Sequence, residues 1–565
     1  MFDQLKLQKM KSPKIYFIKV LFFFILIISS CSKDFIDKPI EPATQSDATF
    51  RRTPQGLLYT LNASYAFLEG QWWHEYPYMK MMVGNWRTDD AQTGGEDEND
   101  EVAGHALNDF NIFSTNTVFL DYWRPCFTAV HYANAVIVSG PEALKVAKPA
   151  DVALINNYVG QAKCLRAYWY FELVKDFGDL PLVLDGSTKL LPRSDRLLVY
   201  DQIEKDCLEA ASVLPRADQL SPADKGRMNS GSALAILAKV YLFRASAEPA
   251  KASEYYQKAY ETAKNVIESK QFSLLPTYDA VWKTTGDFST EGIVEGGNPV
   301  PGVTNMETSW FSISQSPRYP FTATMTKGPA SAYGWGMNLP TQDFVNAFEP
   351  GDPRKNWTIY VQGDESNAFK LNSKQYQLIC FDHSTTGYYF RKYDPDGCPD
   401  NPYLNIKYYR YSDLILVGAE AANEVNQTTD ALAWLELVRG RARNTPAAPK
   451  HAADKLTGVP VQITGGSQSE LREKIRNERR VELGLEGHRY YDLVRYDGLN
   501  GFNWKSVVEA AQALAGPNFQ ISKTAKSGLP RNGHIVSVEE KHKLSPIPDS
   551  ELRASSNTLT QNTGY

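Results

Sequence analysis

Three apolar stripes in the middle of the chain constrain its fold more than any other feature. Tyr200, Ile203, Cys207, Ala210 and Leu214 recur at three- and four-residue spacing, and Pro215 follows. Ala233, Leu234, Leu237, Ala238, Tyr241, Leu242 and Ala245 form a second stripe, and Tyr256, Ala259, Tyr260, Ala263 and Ile267 a third. A helix that mixes Ala with Tyr on one face packs closely against a partner built the same way. Successive antiparallel pairs of this length are the unit of helical hairpin repeats. The pattern extends in both directions. Leu57, Leu58, Leu61, Tyr65 and Leu68 mark an early helix, Trp123, Val130, Ala133 and Val136 a second, and Tyr158 to Phe177 a third that stops at Gly178 with Pro181 beyond. Late in the chain the spacing predicts a helix over Tyr408 to Asn423, and Ala431, Leu432, Leu435, Val438 and Ala442 mark its partner. The expected fold class is mainly α, a tetratricopeptide-like hairpin scaffold.

Between residues 275 and 405 the texture changes to Gly, Pro, Ser, Asn and Tyr, and the helical period fades. A structureless loop of that length is unusual, so short strands and turns are expected there. Irregular segments on a rigid scaffold are also where binding residues concentrate.

The N-terminus carries an address. Lys6, Lys9, Lys11, Lys14 and Lys19 precede an apolar run from Val20 to Ile28, and Ser29, Ser30 and Cys31 follow. A charged region, a short apolar region and small residues before a cut describe a secretory signal. A cysteine immediately after the small residues makes it a bacterial lipoprotein signal, with Cys31 lipidated and residues 1–30 removed. The run is too short to span a bilayer. A polar tether with a Pro-containing lead-in fills 31–50, a helical part 51–274, and the remainder 275–565 is expected to pack with it as one unit. The chain has 565 residues and a formal charge of −5. The first 30 residues hold five Lys and one Asp, so the remainder stands near −9. An acidic body does not suit a nucleic-acid partner, which needs a basic face.

Six cysteines are present with no C-x-x-C spacing. Cys164 and Cys207 sit on apolar stripes and read as buried small hydrophobes. Cys380 and Cys398 share a loop-rich stretch, where they pair or stand free. No G-x-S-x-G, no H-E-x-x-H and no glycine-rich phosphate loop is found. No cofactor is expected. The acidic run Glu96 to Glu101 offers oxygen ligands that could serve Ca²⁺, but it lacks EF-hand spacing and reads as a solvated loop. The segment LREKIRNERRVELGLEGHRYYDLVR, Leu471 to Arg495, places Glu478, Arg479, Glu482, Glu486, Arg489, Asp492 and Arg495 at close spacing. It reads as an ion-pair network joining a helix to its neighbours.

Aromatic residues make up 12% of the chain, with 31 Tyr, 26 Phe and 11 Trp. Most belong in a core, but two clusters lie among Gly, Ser and Pro. One holds Trp72, Trp73, Tyr76 and Trp86; the other holds Trp310, Phe311, Tyr319 and Trp335. Adjacent Trp72 and Trp73 cannot both face one core side of a regular element. These eight are the candidate glycan-binding residues, since sugar rings present flat C–H faces that stack on aromatic rings.

Taken in order, several stretches resemble the SusD/RagB family of nutrient-binding outer-membrane lipoproteins of Bacteroidetes. They are Cys31 to Asp37; Leu165 to Phe171 with Phe177-Gly178-Asp179-Leu180-Pro181; Tyr411 to Leu414 with Ala419-Glu420-Ala421; Glu478-Arg479-Arg480 to Arg495; and Leu544 to Pro548 with the terminal Gln561 to Tyr565. The resemblance implies a single unit built around four tetratricopeptide-like hairpins, with ligand-binding loops packed on it. It implies a non-enzymatic protein that captures an oligosaccharide outside the cell and sits on a SusC-like TonB-dependent transporter, anchored by lipid to the outer membrane. Asp89-Asp90 resembles a family position that looks structural. A lipid-anchored glycoside hydrolase, a binder of a non-carbohydrate nutrient and a scaffold that binds only protein are the competing readings.

Overall fold

The computed structural model describes residues 47–69, 75–95, 99–187, 191–297, 310–317, 334–361, 369–371, 374–376, 384–393, 404–449, 451–514, 536–556 and 558–565. Helices dominate. In chain order the longer ones are α1 (Pro54–Tyr65), α2 (Tyr76–Asn85), α3 (Thr117–Val146), α4 (Val152–Phe177), α5 (Arg196–Val213), α6 (Ser230–Ala247), α7 (Ala252–Ser269), α8 (Tyr411–Glu424), α9 (Thr428–Asn444), α10 (Gln468–Glu482), α11 (Arg489–Tyr496) and α12 (Trp504–Ala513). α1 packs on α3, α3 on α4, α4 on α5, α5 on α6, α6 on α7, α7 on α8 and α8 on α9. This row of packed neighbours is the tetratricopeptide-like arrangement, with α4/α5, α6/α7 and α8/α9 as pairs consecutive in the chain and α1 packed on α3 at its start.

Local chemistry sets the ends. Thr53 accepts from the Gly56 N–H at 3.0 Å with Pro54 next to it, Asp195 from Leu197 at 2.7 Å, and Asn229 from Ser232 at 2.9 Å. Gly178 closes α4 at φ +74°, a conformation that costs glycine little. Small residues bring the helices together. A Cβ on Gly160 of α4 would lie 2.7 Å from Val213 Cγ2 of α5. One on Gly418 of α8 would meet the Trp434 ring of α9 at 3.0 Å and Ala263 Cβ of α7 at 3.2 Å.

The stretch from 275 to 405 does carry short strands. They pair with one another or with strands outside the stretch: β1 (Ala91–Thr93) with β3 (Asn338–Pro340), β2 (Gly292–Gly296) with β6 (Ile406–Arg410), and β4 (Ile359–Val361) with β5 (Tyr388–Phe390), each pair antiparallel. β6 corrects the helix expected from Tyr408. Tyr408 to Arg410 complete a strand, and α8 begins at Tyr411. The strand sends its side chains to separate places: Tyr408 Oη donates to Leu68 O at 2.7 Å, and Tyr409 Oη to Ala235 O at 3.0 Å. One continuous apolar core runs from Leu57 on α1 to Leu559 near the C-terminus. Cys126, Cys164 and Cys207 are free and buried in it; Cys31, Cys380 and Cys398 lie outside the described residues.

Candidate functional site

Two glycine junctions of the scaffold lie beside the chain segments that carry the two aromatic clusters. Leu68 ends the turn after α1, and the segment carrying Trp72 and Trp73 follows it. Gly296 ends β2, and the segment leading to Trp310 follows that. A Cβ on Gly296 would lie 1.8 Å from Leu68 O, so the two chain segments leave the scaffold in contact, and only glycine permits it. A second junction repeats the device. Gly94 N–H donates to Met337 O at 2.9 Å and Gly95 N–H to Gly336 O at 3.2 Å, extending the β1–β3 ladder. A Cβ on Gly94 would lie 1.7 Å from Gly336 O. Gly336 and Met337 in turn donate to Ser316 O and Ser314 O at 2.9 and 3.0 Å, tying this strand to the short helix Trp310–Gln315.

Buried polar groups gather at this second junction. Asn338 on β3 is 1% exposed, and neither its amide oxygen nor its amide nitrogen has a partner among the described residues. Ser312 Oγ and Gln315 Oε1 on the adjoining helix are likewise buried and unmatched. Unmatched buried groups are few in native proteins and call for water or a ligand. No signal in the sequence marked these three: Asn338 sits in a plain Asn-Leu-Pro strand.

Charge clamps this junction to the C-terminal helices. Asp89 accepts from Arg489 Nε and Nη2 at 2.8 and 2.7 Å; Arg480 reaches Asp90 at 2.6 Å and Asp343 at 2.7 Å. Thr341 N–H donates to Asp90 O at 2.9 Å and its hydroxyl to Asp89 O at 2.5 Å. Burial works to raise both carboxyls. At Asp89 the guanidiniums of Arg480 and Arg489 outweigh it and hold the group down to about 2, while at Asp90 burial prevails and pushes it up to about 6. Paired carboxyls with separated pKa values can mark an acid and a base. Here both are enclosed by arginines and main chain, so the splitting reflects their structural clamp.

The eight candidate residues divide three ways. Tyr76 and Trp86 belong to the core, which corrects the expectation of sugar platforms there. Tyr76 stacks on Tyr122 at 5.6 Å, meets Trp169 edge-on at 4.8 Å, and shares a 2.7 Å hydrogen bond with Tyr168. Trp86 is wholly buried, with Gly104 so close that a Cβ would lie 2.2 Å from its Cζ3. Phe311 is 7% exposed and abuts Tyr393 edge-on at 4.9 Å, which leaves it little face for a ligand. Trp335 is half-buried, packed against the core beside the Gly334–Gly336 junction. Trp310 opens the short helix. Trp72, Trp73 and Tyr319 lie outside the described residues, as do Glu96, Asp97 and Glu98 of the acidic run. Among the described residues, no group of three or more His, Cys, Asp or Glu could hold a metal ion.

Comparison with known proteins agrees with this architecture. A family model described as "SusD family" matches residues 304–565, and one described as "Starch-binding associating with outer membrane" matches 74–242. The chain is 24% identical to SusD-like protein P2 of Formosa agariphila, over 98% of this chain and 100% of the relative. Among solved structures, a SusD homologue from Bacteroides thetaiotaomicron matches with a TM-score of 0.73 at 23% identity, covering 93% of this chain and 100% of that one. A laminarin-binding SusD-like protein matches with a TM-score of 0.65 at 25% identity, covering 90% and 99%. With two models of one kind placed in order along the chain, and relatives matched over almost its whole length, the chain belongs to the SusD/RagB family.

Proposed function

We propose that the mature protein is a glycan-binding lipoprotein of the outer membrane. In this reading acyl chains on Cys31 hold it facing outward; it captures oligosaccharide or polysaccharide and delivers it, unbroken, to a SusC-like TonB-dependent transporter. The observation that carries the reading is that scaffold points flanking the aromatic segments lie in contact, Gly296 against Leu68 and Gly94 against Gly336. A glycan site needs flat ring faces beside planar polar groups and no tuned acid or base. Trp72, Trp73, Trp310, Tyr319 and Trp335 supply the rings of this proposal, and the frame holding Asn338 supplies polar groups. Two findings support it: the outer-membrane, starch-binding description of the matching family model, and the laminarin-binding neighbour of the same fold. Calcium, if the acidic run binds any, plays no part in the proposed capture.

The test is affinity electrophoresis on a polysaccharide panel. Wild-type protein is expected to be retarded by at least one glycan, and replacing Trp72, Trp73, Trp310 and Trp335 together by Ala is expected to abolish the retardation with the fold intact. Retardation unchanged in that variant would overturn the site, and reducing ends released by the purified protein would overturn capture without cleavage.

A further inference from the structure

Phe288 is held in a conformation that a bulky side chain avoids. Its φ is +46°, in the left-handed region where aromatic residues are rare. Independent contacts keep it there. The Phe288 N–H donates to Glu295 Oε2 at 2.9 Å, and that carboxylate is itself fixed by Lys407 at 2.9 Å and Asn405 at 3.2 Å. The rim of the ring lies between two glycines: a Cβ on Gly226 would come 2.3 Å from its Cε1, and one on Gly297 3.0 Å from its Cζ.

These constraints do not serve the core. The ring lies outside the continuous apolar cluster and meets no other aromatic ring among the described residues. It is half-buried, and it walls a cavity of about 430 Å³ together with Phe272, Asn229, Gln271 and Lys225. Strain over-determined by its surroundings is a mark of a side chain presented for use. An apolar hollow with a ring on one side and a few polar groups around it has the make-up of a ligand site. Its position adds to the case. Gly296 and Gly297 are consecutive; the first touches Leu68, where the Trp72–Trp73 segment leaves the scaffold, and the second touches Phe288.

We infer that this cavity is a second saccharide subsite, in which a sugar ring further along the same glycan chain stacks on Phe288 while Lys225 meets its hydroxyls. The inference rests on the glycan-binding reading above and extends it to a place that no sequence motif marks.

The experiment uses the full mature protein and whichever of laminarin, starch, xylan and mannan retards it. Phe288→Gly removes the ring and relieves the backbone, so the Tm is expected to hold or rise while affinity for that polysaccharide falls roughly three- to tenfold, the range of one aromatic contact. Phe288→Tyr keeps the platform and is expected to bind as wild type. Lys225→Ala, on an exposed side chain, is expected to give a smaller loss in the same direction. Unchanged affinity in Phe288→Gly, with Trp335→Ala still weakening retention, overturns the subsite and leaves the main reading standing. A lower Tm with unaltered affinity assigns the ring to packing and overturns it as well. Wild-type protein retained by none of the four polysaccharides removes the inference together with the reading it rests on.

Discussion

At the scale of single residues, the C-terminal part of the molecule is governed by buried charge. Arg354 reaches Asp352 at 2.7 Å, Glu478 at 2.5 Å and Glu482 at 3.1 Å; Arg410 reaches Glu291 at 3.1 Å, Glu482 at 2.5 Å and Glu486 at 2.8 Å. A parallel set joins Lys239 and Arg479 to Asp413, and Arg479 and Arg495 to Asp492. Taking charges out of water costs several kcal/mol per ion, and only multiple well-placed partners offset it. Burial works to raise Asp413 and Asp492, but their cationic neighbours outweigh it and hold both carboxyls down to about 2. A depressed carboxyl contributes stability that is present above its unfolded value, near 4, and is lost as the pH falls toward 2. Each contributes on the order of 2 kcal/mol. Asp90, pushed up to about 6, has the opposite sign and gains between pH 6 and 4, so the net decline sets in below pH 4. Urea midpoints are therefore expected to drop between pH 4 and pH 2, and a midpoint that stays level there would contradict this assignment. The charged segment 471–495 was legible as a network because its alternating signs lie at helical spacing. Its partners Arg354, Arg410 and Glu291 were not legible, because they arrive from other elements and carry no local spacing.

At the scale of elements, one-sided helices were the most readable. The stripes of α5, α7 and α9 each leave one face exposed, so their periods stand out in the sequence, while the enclosed α6 was readable through its run of Ala and Leu and its Asn229 cap. All ten residues of α2 are buried, so it has no polar face and no stripe. Its Tyr76, and Trp86 just beyond its end, consequently read as loop aromatics in the sequence. The misreading of Tyr408 has a similar cause: all five residues of β6 are buried, and an apolar run does not reveal whether its period is two or 3.6. The scaffold's tolerance for side-chain volume follows from the same close packing. Gly418 lies where α7, α8 and α9 meet, so Gly418→Leu would drive a side chain into the Trp434 ring and Ala263. Overpacking of this kind costs roughly 1–3 kcal/mol. A corresponding drop in the thermal midpoint is expected, and an unshifted midpoint would show that the hairpins can separate without penalty.

At the scale of the whole molecule, the body is closed on itself at both ends of its core. The C-terminal Asn562 donates to Phe177 O at 2.9 Å and Ser545 O at 2.7 Å, and Arg193 holds Thr560 O at 3.0 Å, so the final residues are stitched onto the end of α4. No helix among the described residues is long and apolar enough to cross a membrane. The apolar run before Cys31 is too short to do so either, and the acidic body offers no electrostatic grip on anionic lipid. Attachment in the proposed function therefore depends on acylation, and one chain holds a protein only marginally, so more than one is required. This separates anchoring from capture. Cys31→Ala is expected to move the protein out of the membrane fraction while the folded body keeps its wild-type retardation on polysaccharide gels. Mass spectrometry of the wild-type protein should find Cys31 at the mature terminus carrying acyl chains. Full retention of Cys31→Ala in washed membranes would mean that another part of the chain, or a bound partner, supplies the anchor. Loss of glycan binding along with the lipid would mean that the body relies on the membrane for its ligand face, contrary to a site built on the Leu68–Gly296 and Gly94–Gly336 junctions.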